Sequence, residues 1–344
     1  MPLLKTNIFL FIFLAITTIA SHLWIDRYQQ IGPDLLTGNW EVMASKNSWV
    51  DITENKLTLS SRDSQTGAGA YQNLPMIEQG TVLTFSAEMK CDNVVLGKKP
   101  WNLARLILVQ NNGKKDRWDL SHVVASLTGT CDWQSYRNFF YITPKTQSIW
   151  IAAELNHSTG SLQVRNLQLY PVSETQTYSR IRNIILFSWG AFFLLLTGSC
   201  LFAEKRSMLF RVLLASAFIS IIVGTSLPGN MKDSISHQIE MQIDTDSPAF
   251  KTIIPWDLSK VWHVCFFFLL GLILCLMLKK QPATQVMAII LMMAGGTEIV
   301  QLYIDGRTPL LTDFFIDAAG GIAGMALIRL LGMTKNAEYF KSHP

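Results

Sequence analysis

Seven polar or ionisable residues in the C-terminal third recur at spacings that bring side chains together. Lys260 and His263 are three apart, Glu298 and Gln301 are three apart, and Asp313 and Asp317 are four apart, with Arg307 between the last two pairs. Steps of three and four place two side chains on one helix face. Lys260 and Arg307 suit an anionic head group carrying phosphate or carboxylate, Arg through its planar fork. His263 or Glu298 suits general acid/base work, with Arg307 stabilising developing charge. One His with Glu and Asp oxygens suits a hard or borderline divalent ion. No His-Glu-x-x-His or paired-Cys motif accompanies it, and neither a metal nor a cofactor is expected. A fourth reading is structural. Glu298, Asp313 and Asp317 against Lys260, Arg307 and a protonated His263 sum to zero charge, so the same residues suit a paired network holding three helices together.

These residues sit in a membrane-like setting. Of 344 residues, 49% are hydrophobic and only 16% charged, and mean hydropathy is +0.25; an ordinary soluble domain carries about 25% charge. This excludes a disordered chain, a collagen-like chain and a small disulfide scaffold. A net charge of +4 with no basic run gives no reason to expect a nucleic-acid partner. Residues 6–25, 183–203, 212–231 and 261–278 contain no Asp, Glu, Lys or Arg. A fifth run over 281–304 is broken only by Glu298, and a sixth over 314–331 by Asp317 and Arg329. A bilayer core takes about 20 apolar residues as helix. Six spans are predicted, near 7–25, 183–203, 208–226, 261–278, 284–304 and 313–332. The first has signal-peptide traits, namely Lys5, an apolar stretch and Ala20. Its lack of a clean small-x-small site, with Thr18 at the outer position, favours an uncleaved anchor.

Lys and Arg near the span ends set orientation. Lys5, then Lys205, Arg206 and Arg211, then Lys279 and Lys280, then Arg329, Lys335 and Lys341 all fall on one side if six spans alternate. The expectation is a multi-pass protein of the bacterial inner (cytoplasmic) membrane with its N-terminus cytoplasmic. The segment 26–180 is then extracytoplasmic, as is loop 227–260, with Asp233, Glu240, Asp244, Asp246 and Asp257. The seven polar residues all fall at one depth, in the outer leaflet. In the last span, Asp313, Asp317, Gly321 and Gly324 form one stripe, and Gly320 with Gly324 makes a G-x-x-x-G pair that lets helices approach closely. That stripe is expected to face the bundle interior. A position near the helix start also suits Asp313 or Thr312 as a cap.

Residues 36–173 differ in texture. Runs at 56–60, 82–89, 104–109, 139–142, 148–152 and 162–169 alternate apolar and polar, with Gly, Asn, Asp and Pro between them. Period two with turn punctuation predicts antiparallel strands in a β-sandwich or jelly roll. Trp133 and Trp150 are assigned to its core. Trp101 and Trp118, beside charged loop residues, are candidates for stacking on sugar rings. Cys91 and Cys131 both fall in this domain, where an oxidising compartment permits a disulfide; Cys200, Cys265 and Cys275 lie in spans as small apolar residues.

Two resemblances follow. Leu127–Trp133, Phe139–Ile142 and Ser158–Ser161 ahead of the last strand resemble carbohydrate-binding jelly-roll modules. Thr225–Pro228, Lys260-x-x-His263, Thr297-Glu298-x-x-Gln301, Gly306–Pro309 and Asp313-x-x-x-Asp317-x-x-Gly320-Gly-x-x-Gly324 resemble the VanZ-like family, whose name is tied to teicoplanin resistance. That family has Asn where this chain has Asp317. The resemblance implies a four-helix membrane domain over 207–332 with a link to envelope glycans or glycopeptides. The remaining divisions are an anchor at 1–26, the sandwich at 27–178, a helix and turn at 179–206 and a tail at 333–344. The function expected is non-catalytic. The sandwich recognises a glycan or protein, and the membrane domain holds a membrane lipid, lipid-linked glycan or other amphipathic ligand through Lys260, His263, Glu298, Gln301, Arg307, Asp313 and Asp317. The alternative is an intramembrane enzyme acting on a lipid-linked sugar or phosphate. A transporter is less favoured, because six spans are few and no inverted repeat is visible. P-loop, G-x-G-x-x-G and G-x-S-x-G motifs are lacking.

Overall fold

The computed structural model describes residues 2–53, 55–228 and 258–342. Most of the loop expected at 227–260, including Asp233, Glu240, Asp244, Asp246 and Asp257, lies outside the described residues. The chain divides into two units, Asp26–Thr175 and Met1–Ile25 with Gln176–Pro344.

The first unit is a β-sandwich of two antiparallel sheets. Its strands are β1 (Tyr28–Gln30), β2 (Glu41–Ala44), β3 (Ser48–Thr53), β4 (Lys56–Ser61), β5 (Ala68–Asn73), β6 (Val82–Val95), β7 (Ala104–Asn111), β8 (Val123–Leu127), β9 (Gly129–Tyr141), β10 (Ser148–Leu155) and β11 (Thr159–Glu174). One sheet runs β3-β4-β11-β6-β9, with β1 also paired to β11; the other runs β2-β5-β10-β7-β8. All six predicted runs are strands. Alternation delivers one side chain in two to the interior. Leu57, Leu59, Leu83, Phe85, Met89, Leu106, Leu108, Ile149, Ile151, Leu162 and Val164 fill the space between the sheets.

Two tryptophans differ from expectation. Ile149 and Ile151 face the core, so Trp150 between them must face outward, over Ile107, Val109 and Ala152 on the outer side of the five-stranded sheet. Trp133 lies on the outer side of the other sheet, where the Arg165 guanidinium covers its ring at 4.1 Å. Trp133 follows the alternation of β9, in which Phe140 and Tyr136 face the core and the odd-numbered residues from 139 to 133 face out. Past it, β9 spends three residues, from Gln134 to Cys131, where β6 spends two, from Met89 to Cys91. Such a bulge reverses the alternation, so Cys131 points inward.

The second unit is helical. Its elements are α1 (Pro2–Trp24), α2 (Gln176–Leu201), α3 (Met208–Ser226), α4 (Leu258–Met277), α5 (Ala283–Val300), a 3-10 turn (Gln301–Tyr303) and α6 (Leu311–Ser342). Among the described residues, six helices are long and apolar enough to cross a membrane, over 4–24, 176–201, 208–226, 260–277, 283–303 and 311–331. α1 is bonded into the bundle at three levels. Asn7 donates to the Ser199 hydroxyl at 3.0 Å, Trp189 Nε1 to Thr18 Oγ1 at 2.9 Å, and the Tyr303 hydroxyl to Ser21 at 2.8 Å. Phe11 packs edge-on against Trp189. Thr18→Val removes the acceptor of a fully buried indole. It is expected to cost about 1 kcal/mol, the usual range for bonds between membrane helices, while Thr18→Ser keeps stability. Unfolding of the purified protein in mixed micelles measures the difference.

α4 and α6 are in backbone contact. A methyl group on Gly271 would lie 2.0 Å from the Gly321 carbonyl oxygen, and one on Gly324 would lie 2.1 Å from that of Phe268. Only hydrogen fits at either position. At the opposite ends of these helices from Asp317, Arg206 donates to the Met277 carbonyl at 3.0 Å and pairs with Glu204 at 3.0 Å. Arg329 donates to the Gln281 carbonyl at 2.8 Å. Arg206 thus satisfies a C-terminal carbonyl of α4 at the negative end of its dipole, and Arg329 ties α6 to the connection between α4 and α5.

Candidate functional site

The helical unit gathers polar side chains where α3 and α5 end and α4 and α6 begin. His263 Nδ1 lies 2.9 Å from Asp317 Oδ1, and the His263 side chain is 13% exposed and that of Asp317 0%. The pair is possible because glycines draw α4 and α6 together one to two turns deeper in the bundle, so a side chain from each helix meets the other. Among the described residues, Asp317 Oδ2 has no hydrogen-bond partner. Glu298 is buried on α5. Its Oε2 accepts the Leu310 N–H at 2.9 Å, and its Oε1 lies 3.4 Å from the Gln301 amide. Glu298 thereby serves the free N–H groups that open α6 and places a carboxylate at the positive end of that helix.

The other expected members are arranged less tightly. Asp313 is half-buried in the first turn of α6, with the Thr312 hydroxyl 3.5 Å from its carboxylate. Arg307 donates to the Thr225 carbonyl at 3.1 Å, tying the loop before α6 to the end of α3. Lys260 is exposed on α4, outside the buried group. The structure therefore joins His263 to Asp317 and Glu298 to Gln301, and sets Arg307 on Thr225. Thr225 itself is 5% exposed and was not among the expected site residues, although the Thr225–Pro228 stretch is among the sequence motifs. No group of His, Cys, Asp and Glu among the described residues is suited to hold a metal ion.

The sandwich carries a second candidate site. The outer face of the five-stranded sheet holds a groove of about 290 Å³ lined by Met43, Tyr71, Asn73, Trp150, Ala152 and Glu154, close to the lower bound of small-molecule sites at roughly 300 Å³. Its parts are fixed in place. Trp150 Nε1 donates to Asp116 at 3.2 Å, and Arg105 forms an ion pair with Glu154. Glu41 accepts from the Tyr71 hydroxyl and raises that phenol above its ordinary range. Trp118 is 46% exposed and stands edge-on to Trp150, with ring centres 5.8 Å apart. Of the two tryptophans expected to meet sugar, Trp118 adjoins this groove. Trp101 is not among its lining residues; it is exposed on the turn before β7, with Lys99 over its ring at 5.2 Å. Trp150 and Tyr71 were missed, although the Ile-Trp-Ile alternation in β10 already assigns Trp150 to the outer face.

A helical bundle of this length and apolarity, with buried ionisable groups near one end, defines a multi-pass membrane protein that carries a β-sandwich between its first two helices. The model of the VanZ/LLP1 family matches residues 229–332, which span α4, α5 and most of α6. No curated protein matches the chain. Among solved structures, the chain is similar to a CBM4 module, with 16% identity over 42% of this chain and 94% of the module at a TM-score of 0.30. It is also similar to the CBM22-1 xylan-binding domain from Paenibacillus barcinonensis Xyn10C, with 14% identity over 43% of this chain and 99% of that domain at a TM-score of 0.31. A third likeness is to the enzymatically active domain of tailspike protein 4 from bacteriophage CBA120, with 12% identity and a TM-score of 0.29 over 40% of this chain; the chain spans only 20% of that protein. At such identities and scores these likenesses carry no weight for a ligand.

Proposed function

We propose that this protein is a non-catalytic binding protein of the bacterial inner membrane. Its N-terminus is cytoplasmic and its sandwich extracytoplasmic. The sandwich binds a glycan in the Tyr71–Trp150 groove, and the membrane unit holds the polar head of a lipid or lipid-linked glycan near His263, Asp317 and Glu298. The cations Lys205, Arg206, Arg211, Lys279, Lys280 and Arg329 near one set of helix ends support this orientation. The observation behind the non-catalytic reading is that Glu298 accepts the N–H at the start of α6 and that His263 engages one of the two oxygens of Asp317. A general base needs reach to a substrate proton; the Glu298 carboxylate is taken up by the backbone that opens α6, and Asp317 keeps one oxygen for a head group rather than for a reacting proton.

Aromatic rings flanked by Asn73 and Glu154 suit the apolar faces and hydroxyl edges of a sugar. Trp150→Ala is expected to weaken retention of the full-length protein on immobilised envelope polysaccharide about tenfold or more, as loss of a central aromatic anchor does. Trp101→Ala is expected to leave it unchanged. Equal retention by Trp150→Ala and the parent protein in affinity electrophoresis would remove the groove from the account. Native mass spectrometry of protein released from membranes tests the second site, with a co-purifying lipid or lipid-linked glycan as the expected result.

One observation favours the enzymatic alternative. The His263–Asp317 bond at 2.9 Å is geometry that orients an imidazole for proton transfer. Turnover of labelled lipid-linked sugar or phosphate, lost in both His263→Ala and Glu298→Gln, would replace the binding role with that one.

A further inference from the structure

β6 and β9 place two cysteines directly opposite each other. Cys91 and Cys131 are partners in the antiparallel register, set off by irregularities on both sides. Opposed residues in such a pair have Cα atoms roughly 4.5–5.5 Å apart, within the range of roughly 4.4–6.8 Å that a disulfide spans. Both side chains also turn the same way. Cys91 belongs to the sandwich core at 1% exposure, and Cys131 packs against that core while remaining half-buried. The bulge between Gln134 and Cys131 is what turns Cys131 toward Cys91. In this structure both are free thiols.

We propose that Cys91 and Cys131 are a disulfide-forming pair, closed by exchange with a disulfide-bearing thiol oxidant where the sandwich folds. Cys131, the more exposed, loses its proton and attacks the oxidant's disulfide, releasing one oxidant thiolate and leaving a mixed disulfide. Cys91 then gives up its proton and attacks the Cys131 sulfur, expelling the second oxidant thiolate. Two electrons and two protons pass from the cysteines to the oxidant, which leaves as a dithiol. Burial, with the neighbouring Cys131 thiol, pushes the Cys91 thiol up to about 12, so the more exposed Cys131 is the first to attack. The bond closes a loop of 39 intervening residues that contains β7, β8 and Trp118. The bond itself joins neighbouring strands of one sheet, and the loop it closes carries two strands of the other sheet and the segment beside the groove. That the bond forms in cells rests on the extracytoplasmic placement proposed above.

The test uses the full-length protein in two arms. In the first, cells are quenched in acid and denatured, thiols are capped with N-ethylmaleimide, and adducts are counted by intact mass. Five cysteines are present, so three adducts before reduction and five after are expected, with the bonded peptide joining Cys91 to Cys131. In the second, purified reduced protein in detergent is treated with oxidised glutathione. The same loss of two adducts is expected, with Cys131 capped before Cys91 when the reagent is limiting, and reduction is expected to lower the Tm of the sandwich transition by about 10 °C. Five adducts in both arms overturn the pair. A bond in the purified arm alone supports the pair and overturns the placement outside the cytoplasm. Cys131→Ser removes the bond in both arms if the pairing is right; a bond persisting there through another cysteine overturns it.

Discussion

Gly324→Leu is expected to leave almost no folded helical unit. The position has no room for one carbon, since a methyl group there would sit 2.1 Å from the Phe268 carbonyl oxygen and 3.0 Å from the Leu272 nitrogen. Both are backbone atoms, which no rotamer change can move. Relief requires separating α4 from α6, and that separation breaks the His263–Asp317 bond and the Gly271–Gly321 contact together. Overpacking in a soluble core costs about 1–3 kcal/mol. Here a whole helix contact is lost, so the expected cost exceeds that range, and the yield of monodisperse protein after detergent extraction should fall at least tenfold. Gly190→Leu is the control, because nothing lies within 4 Å of a carbon added there. Comparable yield of the two variants would show that α4 and α6 do not depend on this contact.

His263→Ala is the second large effect. It strands a fully buried carboxyl in an apolar bundle. Breaking a buried pair from one side costs about 3–5 kcal/mol. Asp317→Asn is expected to be mild for stability, because an amide still pairs with the imidazole, and the VanZ-like pattern carries Asn at this place. The two variants together separate structure from binding. If Asp317 meets a ligand with its free oxygen, Asp317→Asn keeps its unfolding midpoint and loses co-purifying lipid. If Asp317 only joins helices, both midpoint and lipid are retained. The double variant His263→Ala with Asp317→Leu should cost less than the sum of the single changes, as contacting residues do.

The helical half was the more legible from sequence. Charge over apolar runs is a strong signal, and the six spans agree with those expected to within a few residues at most ends; α2 begins seven residues earlier, at Gln176, because its first two turns are polar. The strands found were runs rich in aliphatic or aromatic residues between turn residues; β1, β2, β3, β5 and β8 were not among them. β5, Ala68-Gly-Ala-Tyr-Gln-Asn73, has no β-branched residue, and β1 has only three residues. Both owe their pairing to neighbours rather than to propensity. Within the polar group, depth was readable and partnership was not. Helix spacing places Lys260 and His263 on one face alike, and only the close approach of α6 decides that His263 is enclosed and Lys260 is left outside. Glu298 as the acceptor for the start of α6 depends on a tertiary contact twelve residues away in sequence, for which no local pattern exists.

The sandwich begins and ends in one place. Tyr28 pairs with Glu174 and Gln30 with Val172, so the chain leaves α1 and returns to α2 along two adjacent strands. Neighbouring strands lie about 4.8 Å apart. The 150-residue insert therefore asks of the surrounding helices only what a tight hairpin would ask. Such a domain is a cassette. It can be gained, lost or exchanged for another during evolution without redesign of the membrane part, and the two halves are free to acquire their specificities independently.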